Sequence, residues 1–241
     1  MHGRHANGLI GIHRVDQEML RNCLAVAPSE GYNRIFVIVS VWWIGFMSID
    51  LSLVTTEQLL AMPDDGMDRE LIRGELRENP KTKRDRFHTY VITRIARFLD
   101  QWLDSQPVPS GEVHTGEVGT ILRRNPDSTV GIDVAYFSAE TIARQTDQTT
   151  LIEGAPCLAV EVLSPSDKVE EILGKVHEYL DTGVELVWIV DPYFETIQVH
   201  RRGAAPVTYN REHRIDGVDV LPGLEFSVID VFHRTANLPH Q

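Results

Sequence analysis

The sequence predicts an α/β fold, a mixed α+β sheet flanked by helices, and three observations carry the prediction. The run Cys157–Leu163, CLAVEVL, is apolar without alternation apart from Glu161, as in a central strand covered on both faces. Phe87, Val91, Ile95, Phe98, Leu99 and Trp102 recur at helical spacing, and so do Val169, Ile172, Leu173, Val176, Tyr179 and Leu180. Strand-like runs lie between and after these two helices, which together call for a layered architecture.

Taken in order, the elements begin near Thr55. Thr55 or Thr56 is placed to cap a short helix through Leu59 and Leu60, which Pro63, Asp64, Asp65 and Gly66 break. Residues Glu70 to Arg77 alternate around Arg73-Gly74, the pattern of a small hairpin. The polar stretch Asn79–Arg86 leads into the first amphipathic helix, which Pro107, Pro109 and Gly111 end. Strands are expected at Val118–Leu122 and Val130–Phe137. After the central strand, Ser164 is read as an N-cap and Pro165 as the first residue of the second helix. Asp167, Glu170 and Glu171 would then lie in its first turns, favoured by the helix dipole, and Gly183 would close it. Leu186–Val190 is a further buried strand, ending in Asp191-Pro192, and Thr196–Arg201 pairs with it across a short turn.

At 241 residues, 42% hydrophobic and 24% charged, the chain is long enough for one sizeable core or two small ones. A net charge of −12 excludes a uniformly basic nucleic-acid surface but not a local basic groove around an acidic site. Cys23 and Cys157 lie far apart, which suits a reducing, cytoplasmic compartment. No GxGxxG and no GxxxxGK[ST] phosphate loop occurs. Ile35–Ile49 is uncharged but, at 15 residues, is short of the about 20 that span a bilayer. One reading makes residues 1–46 a mis-called extension ahead of a start at Met47. The other makes them a membrane-associating or partner-docking appendage. The domain is therefore expected over residues 47–241, with no stable membrane insertion.

Three residues carry candidate chemistry. A carboxylate amid apolar neighbours costs heavily unless it is paired or holds a metal, which singles out Glu161. Asp133 precedes the apolar stretch Val134–Phe137; alone it reads as a turn or strand-edge residue. With Glu161 on a partner strand, however, the two carboxylates could hold a hard cation such as Mg²⁺ or Mn²⁺. Lys175 flanks the second helix's apolar stripe, where most lysines reach out to water. Turned inward, it could orient or deprotonate water, or stabilise charge on a phosphate. The basic run Lys81, Lys83, Arg84 and Arg86, continued by Arg94 and Arg97 and broken by Asp85, reads equally as a phosphate-backbone contact and as a solvated loop.

These residues stand within an ordered series of motifs: Thr55-Thr56, Glu70-Leu71-Ile72-Arg73-Gly74-Glu75, His88, Ile132-Asp133-Val134, Val160-Glu161-Val162-Leu163-Ser164, Lys175 through Tyr179, Gly183 to Pro192, and Leu221-Pro222-Gly223-Leu224. The series resembles the Uma2 (DUF820) family from Thr55 to Phe232. It departs at Ile132, where the family has a proline that shapes the backbone and ligates nothing. The resemblance implies a restriction-endonuclease-like core of the PD-(D/E)XK nuclease superfamily, in which Asp133 and Glu161 bind Mg²⁺ or Mn²⁺. It implies that Lys175 serves as the catalytic lysine, because the position two after Glu161 is Leu163. Glu70 is implied as a further metal ligand, ahead of Glu75. His88 is implied to contact phosphate or cap the site, although a lone histidine is also commonly a polar structural residue.

The implied activity is metal-dependent endonucleolytic hydrolysis of a nucleic-acid phosphodiester, with DNA the first candidate substrate and a homodimer a candidate assembly. The competing reading is a catalytically inactive nucleic-acid- or protein-binding module on the same scaffold. A third, a membrane-linked interaction protein, depends on residues 35–49. A chain starting at Met47 is expected to stay soluble and to melt as the full chain does. Loss of cooperative melting on truncation would make residues 1–46 part of the core.

Overall fold

The computed structural model describes residues 53–81, 83, 85–147 and 150–233. The expectations for residues 1–46, for a start at Met47 and for Arg84 lie outside these residues. The elements in chain order are α1 (Thr56–Leu60), β1 (Met67–Ile72), β2 (Glu75–Pro80), α2 (Arg86–Leu103), β3 (Glu112–Arg123), β4 (Ser128–Phe137), α3 (Ala139–Ala143) and β5 (Ile152–Glu153). They continue as β6 (Leu158–Val162), α4 (Val169–Thr182), β7 (Leu186–Asp191), β8 (Thr196–Arg201), β9 (Val207–Asn210), β10 (Arg214–Asp216), β11 (Glu225–Ser227) and α5 (Val228–Phe232).

A nine-stranded mixed sheet runs in the order β2-β1-β4-β6-β7-β8-β9, with β3 beside β4 and β5 beside β3. Strands β6 and β7 are parallel and are joined through α4, whereas β4–β6 and β7–β8 are antiparallel. Strands β10 and β11 form a separate pair. Apolar side chains of β6 and β7 alternate between two buried layers. Leu158, Val160, Leu186 and Trp188 pack with α2 residues Val91, Ile95 and Leu99 on one face. Ala159, Val187 and Ile189 pack with Val176 and Tyr179 of α4 on the other. Burying each large apolar side chain contributes about 1.5–3 kcal/mol. Covering on both faces is why the central strand reads as an unbroken apolar run.

Local signals place most boundaries. The Thr55 hydroxyl accepts from Gln58 N and the Gln58 side chain accepts from Thr55 N, a complete capping box for α1. The β1–β2 turn has both central residues left-handed, Arg73 at φ 53° and Gly74 at φ 79°, the geometry that matches strand twist. Helix α2 starts at Arg86 because Asp85 accepts from Phe87 N and His88 N at 2.7 and 2.9 Å. Gly183, at φ 109°, ends α4.

The expected start of α4 is corrected. Ser164 is not its N-cap and Pro165 is not its first residue; the cap is Lys168 and the helix begins at Val169. Residues 164–167 close a turn instead, with Asp167 Oδ2 accepting from Ser164 N at 2.8 Å and Ser164 O accepting from Asp167 N at 3.1 Å. The Asp167 side chain thus bonds back to the Ser164 N–H and Asp167 N bonds to the Ser164 carbonyl, not to its hydroxyl, so the segment closes as a turn and the helix starts a turn later. Strands β3 and β4 also extend beyond the expected runs, and α3, α5, β9, β10 and β11 were not anticipated. No helix among the described residues is long and apolar enough to cross a membrane.

Glu178 of α4 is 1% exposed and joins the helix to the sheet edge. It accepts from Arg73 Nε at 2.6 Å, Arg123 Nε at 2.9 Å and Ser128 Oγ at 2.7 Å. Burial pushes its carboxyl upward, but the Ser128 and Arg73 hydrogen bonds and the charges of Arg123 and Arg73 hold it below its ordinary value. A depressed carboxylate stabilises the fold above its unfolded pKa, and that contribution is lost as pH falls through the folded value. Because both arginines are partly solvated, Glu178→Gln should cost about 2 kcal/mol in urea unfolding at neutral pH. The difference from wild type should shrink in acid; a gap that is flat with pH would show that charge at Glu178 does not matter.

Candidate functional site

The ladder between β4 and β6 ends at the pair Val134–Val160. The next residue outward on each strand is Asp133 and Glu161. Past that point the Asp133 carboxylate replaces a backbone partner, its Oδ2 accepting from Val162 N at 2.8 Å. A short, charge-assisted bond of this kind fixes the carboxylate where the two strands part. His88, one turn into α2, places Nε2 3.3 Å from the same oxygen. His88 is 1% exposed, and its Nδ1 has no hydrogen-bond partner among the described residues. It supports Asp133 from behind, away from solvent.

Glu161 is buried, and α4 and β1 supply its neighbours. Tyr179 donates its hydroxyl to Glu161 Oε1 at 2.5 Å. Lys175, one helical turn before Tyr179, places Nζ 3.2 Å from Glu161 Oε1 and 2.9 Å from Glu70 Oε1. It also donates to Gly131 O at 3.2 Å, while Gly131 N donates to Glu70 Oε1 at 3.1 Å. Side chains from β1, β4, β6 and α4 thus meet around one ammonium.

The electrostatics follow from burial. Desolvation pushes the Glu161 carboxyl up to about 7; Lys175 pulls it down, and the negative Asp133 and Glu70 push it further up. Burial works against the Lys175 ammonium, but the carboxylates of Glu161 and Glu70 outweigh it and keep the lysine charged well above its ordinary range. Tyr179 is held protonated, first by burial and then by Glu161.

Glu70, Asp133, Glu161 and Lys175 line a single cleft of about 520 Å³, a size typical of ligand sites. Seven carboxylate residues and four cationic ones line it, which leaves a surplus of negative charge there. That surplus and the hard oxygen donors fit a divalent cation such as Mg²⁺ or Mn²⁺. As the side chains stand, no three His, Cys, Asp or Glu groups among the described residues converge closely enough to grip an ion. Lys175 lies between Glu70 and Glu161, and Asp133 is turned to Val162 N.

The other expected residues fall elsewhere. Lys83 and Arg86 are exposed beside the start of α2, and neither lines the cleft. Arg86 rests over the Phe87 ring at 4.8 Å. Lys81 does line the cleft, paired with Asp64 at 2.7 Å. Arg94 donates to Asp230 O and lies outside the cleft. Glu75 is exposed at the start of β2. Sequence reasoning missed Tyr179, buried behind the cleft against Glu161, and Arg77, which lines it. Tyr179 was detectable from its spacing of four from Lys175, whereas Arg77 is visible only through its pairing with Glu70 across the hairpin.

A comparison with curated proteins finds no match. A solved structure from Anabaena variabilis, titled as a "putative nuclease belonging to DUF820", superposes with a TM-score of 0.61 at 19% identity, over 74% of this chain and 97% of that one. At that identity the likeness carries the fold, a restriction-endonuclease-like core of mixed sheet and flanking helices. The model of the Uma2 family, described as "Putative restriction endonuclease", matches residues 56–230, which includes every residue of the cleft. The chain belongs to the Uma2 family.

Proposed function

We propose that this protein is a metal-dependent endonuclease that hydrolyses phosphodiester bonds of nucleic acid, DNA first, in the cytoplasm. The observation that carries the reading is the buried ammonium of Lys175 between Glu70 and Glu161, in the cleft that Asp133 also lines. Membership of a family described by restriction-endonuclease chemistry supports it.

In this reading Asp133 and Glu161 would hold Mg²⁺ or Mn²⁺, with Glu70 completing the carboxylate set. A bound divalent cation supplies Lewis acidity toward a phosphoryl oxygen and acidifies water. The protein's own groups do the rest. Val162 N and His88 fix Asp133, and the Tyr179 hydroxyl fixes Glu161 Oε1. Glu70 and Gly131 O aim the Lys175 ammonium, which can hold the attacking water or offset the charge that develops on the phosphate. A non-catalytic binding module is the second reading, favoured by the Lys175–Glu70–Glu161 pairing, which leaves no three ligand groups converging. Incubating plasmid and single-stranded substrates with Mg²⁺, Mn²⁺ or EDTA decides between them: cutting that EDTA abolishes supports the nuclease, and binding without cutting supports the module.

Lys175→Ala should lower the cleavage rate by about 10²–10⁴-fold. Its Mn²⁺ binding and a cooperative melt should persist, since alanine suits a helix, with a lower midpoint because Glu70 and Glu161 lose their cation. Unchanged activity would remove Lys175 from the chemistry.

Glu161 also makes stability depend on pH. Its pKa is raised from 4.5 to about 7, so its contribution to the metal-free fold is fully present below 4.5 and is lost as pH rises through 7. Glu161→Gln keeps an acceptor for Tyr179 and removes the buried charge. The metal-free variant should therefore melt higher than wild type at pH 8 and close to it at pH 5, while cleavage is lost. Equal melting temperatures at pH 8 would mean that Glu161 is not under electrostatic strain.

A further inference from the structure

Four cations line the cleft, and three of them are matched by carboxylates. Lys81 pairs with Asp64 at 2.7 Å, Lys168 with Glu171 at 2.8 Å and Lys175 with Glu70 at 2.9 Å. Arg77 is half-buried, and its guanidinium has no hydrogen bond or ion pair among the described residues. Its strand position makes this unexpected. Arg77 stands directly opposite Glu70 in the antiparallel β1–β2 pair, the geometry that ordinarily gives a cross-strand ion pair. Glu70 Oε1 is already engaged by Lys175 Nζ and Gly131 N, so the guanidinium is left to the cleft.

Helix α4 makes room for it. Gly174 sits mid-helix, where glycine is a poor helix former compared with alanine. A Cβ at that position would lie 3.2 Å from one terminal nitrogen of Arg77 and 3.6 Å from the other. The helix is thinned where the guanidinium lies, beside Lys175. The planar fork of an arginine matches two oxygens of a phosphate and is weakly hydrated, so it can take up a phosphodiester at modest desolvation cost.

We propose that Arg77 is a phosphate-binding residue of the cleft, holding a backbone phosphate of the nucleic acid next to the Lys175 site. This rests on the nuclease reading above and adds to it the group that admits a polyanion to a cleft with excess carboxylates. Arg77 binds; Lys175, Glu161 and Asp133 act on the bond.

The test uses the full chain with fluorescein-labelled single-stranded and duplex DNA in Ca²⁺, with gels checking that the probe stays intact. Affinity is read by anisotropy between about 50 and 200 mM salt. Arg77→Ala should bind about ten- to a hundredfold more weakly and reduce the slope of log affinity against log salt by about one, as loss of one phosphate contact requires. Arg77→Lys should keep the slope and recover part of the affinity, whereas Arg77→Gln should behave as alanine. Thermal melts accompany each variant. If Arg77→Ala fails to fold, the lysine and glutamine pair gives the same reading, because a structural role predicts no difference in salt slope between them. Folded variants with wild-type affinity and slope would overturn the assignment of Arg77 and leave the nuclease reading standing. A wild-type chain that binds none of these probes, nor a fluorescein-labelled single-stranded RNA run beside them, would overturn both.

Discussion

Three carboxylates from three strands face one cleft, and a fold tolerates that arrangement only where something offsets their repulsion and desolvation. Here the offset is the ammonium of Lys175, within 3.2 Å of Glu161 and 2.9 Å of Glu70. It is incomplete, since the Glu161 carboxyl remains raised to about 7. The remaining cost is carried by the two apolar layers around β6 and β7, whose burial contributes far more than one strained carboxylate removes. The site is thus held by the core that surrounds it and does not hold itself together.

Helix α4 makes this possible by presenting two faces to two clusters. Lys175 and Tyr179, one turn apart, reach the ends of β4 and β6. Glu178 points instead to Arg73, Arg123 and Ser128, and so ties the helix to the β1–β2 turn and to the β3–β4 edge. The hairpin anchored by Arg73 is also the one that carries Glu70 and Arg77. The Glu178 contacts therefore fix the distance between the helix that carries the lysine and the strand that carries its partner. A substitution at Glu178 would act on the site without touching it.

In the proposed reading, binding and chemistry are divided by position: the strand ends and α4 carry Asp133, Glu161 and Lys175, while the hairpin carries Arg77. Of the basic run, Lys81 lines the cleft, while Lys83 and Arg86 are exposed outside it. An overall negative charge is compatible with nucleic-acid binding in this reading because only a local set of cations needs to face phosphate.

The sequence by itself determined the layered α/β architecture, because apolar spacing of 3.6 or 2 reports directly which faces are covered. It also singled out Glu161, because a lone carboxylate in an apolar run has few physical explanations. Asp133 and Lys175 were legible as partners once the strand and helix around them were placed. The start of α4 was misjudged because Ser164 and Pro165 form a sound local capping signal, whereas the Asp167 side chain bonds back to Ser164 N and closes a turn ahead of the helix. Glu178, His88's place behind Asp133, and the freedom of Arg77 were decided by tertiary structure alone. Each depends on residues distant in the chain competing for one partner: Arg73 and Arg123 for Glu178, Lys175 and Arg77 for Glu70. Periodicity and local spacing carry no record of which competitor is nearer in space.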